Sequence, residues 1–279
     1  MKRILVPIDF SDNSVFALQV AVGLSNELNS ALRIIHVQTG QQYAPEFLGD
    51  NPEERIIGQA RQWLEHLVKK FLPDYKVHNG EFDYKVREGN VVREITNQAR
   101  YDDASLIVVG THGISGVEEK WLGSNAYRLV SHAPCPVLTV RKGMRWENPH
   151  KVLLPIDYHK LARKIVPVVA GFAKLLKAEV SVVALQKKSK WLIPGRSNIY
   201  ARQAERYIQN NTSLNVSVTN FNWQGDVKNI LSFAREQSAS VIAIHLIKST
   251  NPFESFFRPF ANEILNTSDI PVLIVPVKE

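Results

Sequence analysis

Glycines recur between two apolar runs in GTHGISGVEEKWLGSNAYRLVSHAPCPVLTV, residues 110–140, at a spacing suited to holding an anion. Two residues separate Gly110 from Gly113, nine more follow, and Gly123-Ser124 then opens a segment, Asn125–His132, that reads as a helix. Backbone amides bare of side chains can wrap an anion, and a helix start adds unpaired N–H groups and the positive end of a dipole. The chemistry that fits is phosphate binding, with a nucleotide as the expected ligand. His112 lies inside the loop, either touching a phosphate or ribose oxygen or standing as a solvated loop residue. The plainer reading of Gly110 and Gly113 is that they only let the chain turn after a strand.

Groups that could do covalent or acid–base work are scarce. There is no G-x-x-x-x-G-K-[ST], no H-E-x-x-H, no G-x-S-x-G and no cysteine cluster. Efficient phosphate hydrolysis needs a positioned water, a metal and charge stabilisation at the terminal phosphate. The carboxylates at hand are Asp9 and the pair Glu118-Glu119, and that pair also reads as the solvated face of a loop. Binding with at most slow nucleotide turnover is therefore expected. A metal-dependent nucleotide hydrolase is the second reading, and an interaction protein that binds no nucleotide is the third.

The elements that would carry these residues occur twice. RILVPID (residues 3–9) superposes on KVLLPID (residues 151–157) at an offset of 148, and CPVLTV (135–140) on IPVLIV (270–275) at an offset of 135. This duplication implies two similar domains, 1–143 and 144–279. Each alternates short apolar runs with amphipathic stretches, the pattern of βα units on a buried parallel sheet. Strands are expected near 3–8, 31–37, 76–87, 105–109 and 136–141, and helices near 13–29, 52–71, 91–101 and 124–132. The second helix is marked by Asn51-Pro52-Glu53-Glu54, an Asn cap ahead of proline. In the second copy strands are expected near 150–156, 179–185, 214–222, 240–245 and 271–276. The fold class is α/β: two tandem doubly wound domains, each a five-stranded parallel sheet with helices on both faces. In such a sheet a ligand belongs at the carboxyl ends of the strands where strand order reverses, and Asp9 and Gly110 lie at such ends. The first copy has a longer loop, Thr39 to Asp50, which reads equally as a lid over that edge or as a plain surface loop.

Bulk properties narrow the class. The chain of 279 residues is 44% hydrophobic, enough for two ordinary cores. The run after Met1 is interrupted at Pro7 and Asp9 and no window is long enough to cross a membrane, so a cytoplasmic protein with no membrane partner is expected. The lone Cys135 reads as a buried small side chain. Residues 1–143 hold 16 Lys and Arg against 17 Asp and Glu, whereas 144–279 hold 18 against 10, so the net charge of +7 belongs to the second half. That asymmetry suits an anionic partner, although no nucleic-acid motif accompanies it and nucleic acid is not the expected one.

V-P-I-D ending the first strand, Val37 ending the second, G-x-x-G-x9-G-S before the last helix and the terminal CPVLTV together resemble the universal stress protein A family, in tandem form. The resemblance implies an adenine nucleotide alpha hydrolase-like fold and a stress-response sensor or regulator holding ATP, with ADP or AMP left open and room for Mg beside the phosphates. It implies that Asp9 accepts hydrogen bonds from the adenine edge, that Pro7 and Ile8 shape the floor of the slot, and that Val37 flanks the ring. The backbone at Val109 and Gly110 would meet the ribose; Gly113, Gly123, Ser124 and Asn125 would lie along the phosphates. Ala126 departs from the pattern, standing where many relatives have a hydroxyl. In the second copy Gly110, Gly113, Gly123 and Ser124 become His245, Lys248, Arg258 and Pro259, so the cradle is lost there. That copy reads as a degenerate domain kept for packing, or as a basic mouth built from those residues and Lys187-Lys188-Ser189-Lys190 for another anion. Family members also pair their last strands, which implies an intrachain pseudo-dimer through Val137–Val140 and Val272–Val275, with a homodimer as a further option.

Overall fold

Runs of aliphatic residues only four to eight long, with few polar interruptions, are too short for buried helices, and they form strands covered on both faces. The computed structural model describes residues 2–39, 52–71, 82–111, 124–144, 146, 149–186, 195–248 and 259–278. The chain divides into two compact units, with a boundary between Cys135 and Pro136. The first contains β1 (Arg3–Pro7), α1 (Asp12–Leu28), β2 (Ala31–Gln38), α2 (Pro52–Phe71), β3 (Phe82–Glu88), α3 (Val91–Tyr101), β4 (Leu106–Gly110) and α4 (Ser124–His132). Its strands run parallel in the order β3-β2-β1-β4. Strand order reverses at β1, because the chain leaves it toward β2 and β3 and returns on its other side as β4. Ile4, Leu5, Leu18, Leu24, Ile34 and Ile107 are fully buried between sheet and helices.

The second unit contains β5 (Val137–Val140), β6 (Lys151–Ile156), a 3-10 helix Lys160–Ile165, α5 (Val166–Leu175), β7 (Glu179–Gln186), α6 (Arg196–Asn211), β8 (Val216–Asn222), α7 (Val227–Glu236), β9 (Val241–Lys248), α8 (Pro259–Thr267) and β10 (Val272–Lys278). Five parallel strands run in the order β10-β9-β6-β7-β8. β5 joins them antiparallel, with Val272 opposite Thr139 and Ile274 opposite Val137. The apolar strands 137–140 and 272–275 thus pair with each other, and β5 groups with the second unit although its sequence closes the first repeat.

Local chemistry sets the helix starts. Ser11 caps α1 by accepting from the Ser14 amide at 3.2 Å, and Asn90 caps α3 by accepting from Arg93 at 3.0 Å. Gly89-Asn90 and Gly225-Asp226 repeat this turn, both glycines at positive φ and Asp226 accepting from the Lys228 amide at 2.8 Å. The copies differ where α1 would recur. Pro167 has no N–H to give the carbonyl one turn back, and the segment opens as a 3-10 helix before α5.

An ionic network closes the amino end of the first sheet. Arg33 on β2 is buried and bonds both Asp83 on β3 and Asp102 after α3, while Arg3 reaches Asp102 at 3.2 Å and Gln98 Nε2 donates to it at 3.0 Å. Burial works against the Arg33 charge, but hydrogen bonds and attraction from Asp83 and Asp102 outweigh it and raise its pKa. By register the second unit has Ser181 at this place, its hydroxyl buried without a hydrogen-bond partner.

Candidate functional site

β1 delivers Pro7 and Ile8 to the carboxyl edge, and the Ile8 amide donates to the Ile35 carbonyl at 2.8 Å, holding β1 and β2 together to the end of the strand. Asp9 follows as the chain leaves the sheet. Its Oδ1 accepts from the Ser11 amide at 3.0 Å and from the Ser11 hydroxyl at 2.6 Å. One oxygen of the carboxylate is thus held by the turn, and no described residue donates to Oδ2. Ile8 and Val109 are buried, whereas Val37 and Gly110 are half-buried. Asp9, Val37 and Gly110 therefore follow or end β1, β2 and β4, three neighbouring strands, at the reversal of strand order.

Three aromatic residues that sequence reasoning missed brace this corner. Phe10 takes φ 65°, a left-handed backbone that a bulky residue adopts only when its surroundings hold it. Its ring lies 4.8 Å from His36 and 5.5 Å edge-on from Trp63, between centroids. His36 Nδ1 donates to the Ile8 carbonyl at 2.7 Å, which fixes the ring against the Asp9 turn. Trp63 on α2 is 57% exposed, so this cluster opens to solvent on one side. Phe10 beside Asp9 was visible as a sequence neighbour, but nothing local ties it to residues 36 and 63.

Gly110 is glycine for a steric reason. A Cβ there would stand 2.6 Å from the carbonyl carbon of Asn13 and 2.9 Å from the amide of Ser14, both backbone in the first turn of α1. The capped helix start that shapes Asp9 also presses on β4. Close packing against α1 thus accounts for a glycine at this position. Thr111 beyond it is buried. His112, Gly113 and Gly123, the stretch from residue 40 to 50, Asn51 and Glu118-Glu119 lie outside the described residues. Ser124 begins α4, Asn125 is exposed on its first turn, and Ala126 is buried.

The second unit repeats the turn but not the edge. Asp157 Oδ1 accepts from the His159 amide at 2.8 Å, as Asp9 does from Ser11. At the Gly110 position stands His245, its ring stacked 6.4 Å from His159. β4 stops at Gly110, but β9 continues for three residues beyond His245, Leu246 pairing with Pro276 and Lys248 with Lys278 of β10. The second copy therefore continues as strand past the position at which β4 ends. Among the described residues no cluster of three His, Cys, Asp or Glu could hold a metal ion, and no described helix is long and apolar enough to cross a membrane. Lys187–Lys190 and Arg258 lie outside the described residues.

Comparison with known proteins agrees with this architecture. The model of the universal stress protein family matches residues 1–141. A universal stress protein of Bacillus subtilis is 36% identical over 149 residues, covering 50% of this chain and 98% of its own. One from Methanocaldococcus jannaschii is 32% identical over 149 residues, covering 50% of this chain and 82% of its own. Across the tandem, the crystal structure of a universal stress protein from Archaeoglobus fulgidus superposes with a TM-score of 0.75 at 17% identity, covering 98% of each chain, a likeness of fold.

Proposed function

Because the chain belongs to the universal stress protein family, we propose that its first repeat, residues 1–143, binds one adenine nucleotide and that the protein acts as a stress-response regulator. The observation that carries this reading is Asp9. Its Oδ1 is committed to Ser11, and no described residue donates to its Oδ2 at the carboxyl edge where strand order reverses. A carboxylate so placed accepts the exocyclic amine of adenine, and Val37 and Ile8 supply apolar surface for the ring. The backbone at Val109 and Gly110 serves the ribose. Gly113, Gly123, Ser124 and Asn125 serve the phosphates, with His112 beside them. ATP is the reference ligand, and magnesium would arrive with its phosphates. The second repeat, residues 144–279, binds no nucleotide in this reading, since His245 stands in place of Gly110 and β9 continues beyond it. It serves as the pairing partner in an intrachain pseudo-dimer, and the protein works in the cytoplasm.

The test is mass spectrometry of what purified protein releases on heating, followed by ATP titration of Gly113→Val and Gly123→Val. Bound adenine nucleotide in the wild type, lost from both variants at unchanged folding, is the expected result. No released nucleotide and no stabilisation by ATP would replace this reading with the nucleotide-free interaction protein. That second reading draws on Gly110, whose packing against Asn13 accounts for the residue without any ligand.

A further inference from the structure

We propose that the helix layer formed by the 3-10 helix, α5 and α6 of the second unit docks on an anionic lipid surface. The excess charge of the second half sits almost wholly on this layer. Lys160, Arg163, Lys164, Lys174 and Lys177 lie on the stretch from residue 160 to 177 with no acidic residue among them. Arg196, Arg202 and Arg206 on α6 face one acid, Glu205. The layer thus carries net +7, from eight basic residues and one acidic, of the +8 in residues 144–279.

The molecule supplies two internal controls. The corresponding helices of the first unit, α1 and α2, hold four basic residues against five acidic ones. On the other helices of the second unit, α7 and α8, Lys228 and Arg235 balance Glu236 and Glu263. Charge is therefore concentrated on one layer of one copy.

The layer behaves as one face. Right-handed crossovers put the segments after β6 and β7 on the same side of the sheet. Arg163 joins them, its Nη1 donating to Gln203 Oε1 at 2.8 Å and its guanidinium lying 4.2 Å from the Tyr200 ring centroid. Among these cations stand exposed apolar side chains, Val168 and Leu175 two turns apart on α5, Ile199 and Tyr207 on α6, each between 37% and 56% exposed. Phosphates of a nucleic acid gain nothing from aliphatic side chains. A bilayer interface accepts both the aliphatic groups and the basic heads, whose long stems reach the phosphate level. The expectation of no membrane partner rested on the want of a spanning segment, and lying on a surface needs none.

The experiment is co-sedimentation of the full chain with vesicles of phosphatidylcholine doped with phosphatidylglycerol, with pure phosphatidylcholine vesicles, and, separately, titration with a DNA duplex. Binding to the doped vesicles alone, weakening as salt rises, is expected. Each basic residue near an anionic bilayer is worth about fivefold in partition, so Lys174→Glu/Lys177→Glu/Arg206→Glu lowers it by more than about tenfold. Leu175→Ser/Ile199→Ser, two exposed sites that folding tolerates, removes the part of binding that survives high salt. Equal binding to pure phosphatidylcholine, binding to the duplex but not to vesicles, no binding at all, or full retention in both variants would each overturn the proposal. The thermal midpoint of each variant, unchanged from wild type, certifies that a loss is one of docking.

Discussion

A methyl group added at Gly110 would press on Asn13 at 2.6 Å, and neither partner can yield because both are backbone. Gly110→Ala is therefore expected to cost about 3 kcal/mol, the upper part of the range for overpacking, read from urea unfolding of the full chain. Gly113→Val tests the other use of glycine in this motif, so a loss of ATP binding there with an unchanged midpoint separates ligand access from packing. The spacing of these glycines was legible in the sequence. The reason for Gly110 was not, since Asn13 lies 97 positions away and only the crossing of α1 over β4 brings the two together. The same holds for the corner around Asp9. The acid itself was readable from its place after an apolar run, but the bracing of the turn beside it comes from Phe10, His36 and Trp63, which share no spacing rule.

At the scale of elements, the first turn of α1 does two jobs through one hydroxyl. Ser11 Oγ accepts from the Ser14 amide at 3.2 Å and donates to Asp9 at 2.6 Å. Ser11→Ala should destabilise the chain by about 1 kcal/mol, as loss of an N-cap does, and weaken adenine nucleotide binding by freeing Asp9 to turn. Ser11→Thr, which keeps the hydroxyl, should restore both in unfolding and calorimetric titrations. A second element-level prediction concerns pH. Arg235 on α7 donates from Nε at 2.8 Å and from Nη2 at 3.0 Å to Asp269 ahead of β10, and these hydrogen bonds lower the Asp269 pKa below its ordinary 3.8. A depressed carboxylate stabilises the fold above its ordinary pKa and loses that contribution as pH falls through the folded value. Both partners are about half exposed, so the gain is only about 0.5 kcal/mol. An NMR titration should find the Asp269 midpoint moving up toward 3.8 in Arg235→Met. Periodicity located the elements within two residues at most described boundaries, because buried parallel strands read as unbroken apolar runs. It missed the 3-10 helix, which Pro167 imposes, and the tail of β9. The expected strand near 240–245 stops short of Leu246, Ile247 and Lys248, which pair with Pro276, Val277 and Lys278 of β10.

At the scale of the whole molecule, the duplication was legible and its use was only partly so. Offsets between the copies showed two repeats and which had lost its glycines. Counting charges gave the asymmetry between halves, while its concentration on one helix layer needed the crossover geometry. The strand that closes the first repeat illustrates the limit best. An expected boundary at 143 follows from sequence equivalence, yet β5 belongs by contact to the unit that begins at Pro136. Its antiparallel pairing with β10 yields the last prediction. Thr139 and Val272 are direct partners, and such pairs have Cα atoms about 4.5–5.5 Å apart, within the range of about 4.4–6.8 Å that a disulfide spans. With Cys135→Ala to remove the native thiol, Thr139→Cys/Val272→Cys should oxidise to a single-chain product that runs as a monomer on a non-reducing gel. Both sites are buried, so the reaction needs a small oxidant and proceeds only as the strands breathe. Chain-to-chain dimers instead would mean that β5 pairs with the β10 of a second copy by exchange of strands.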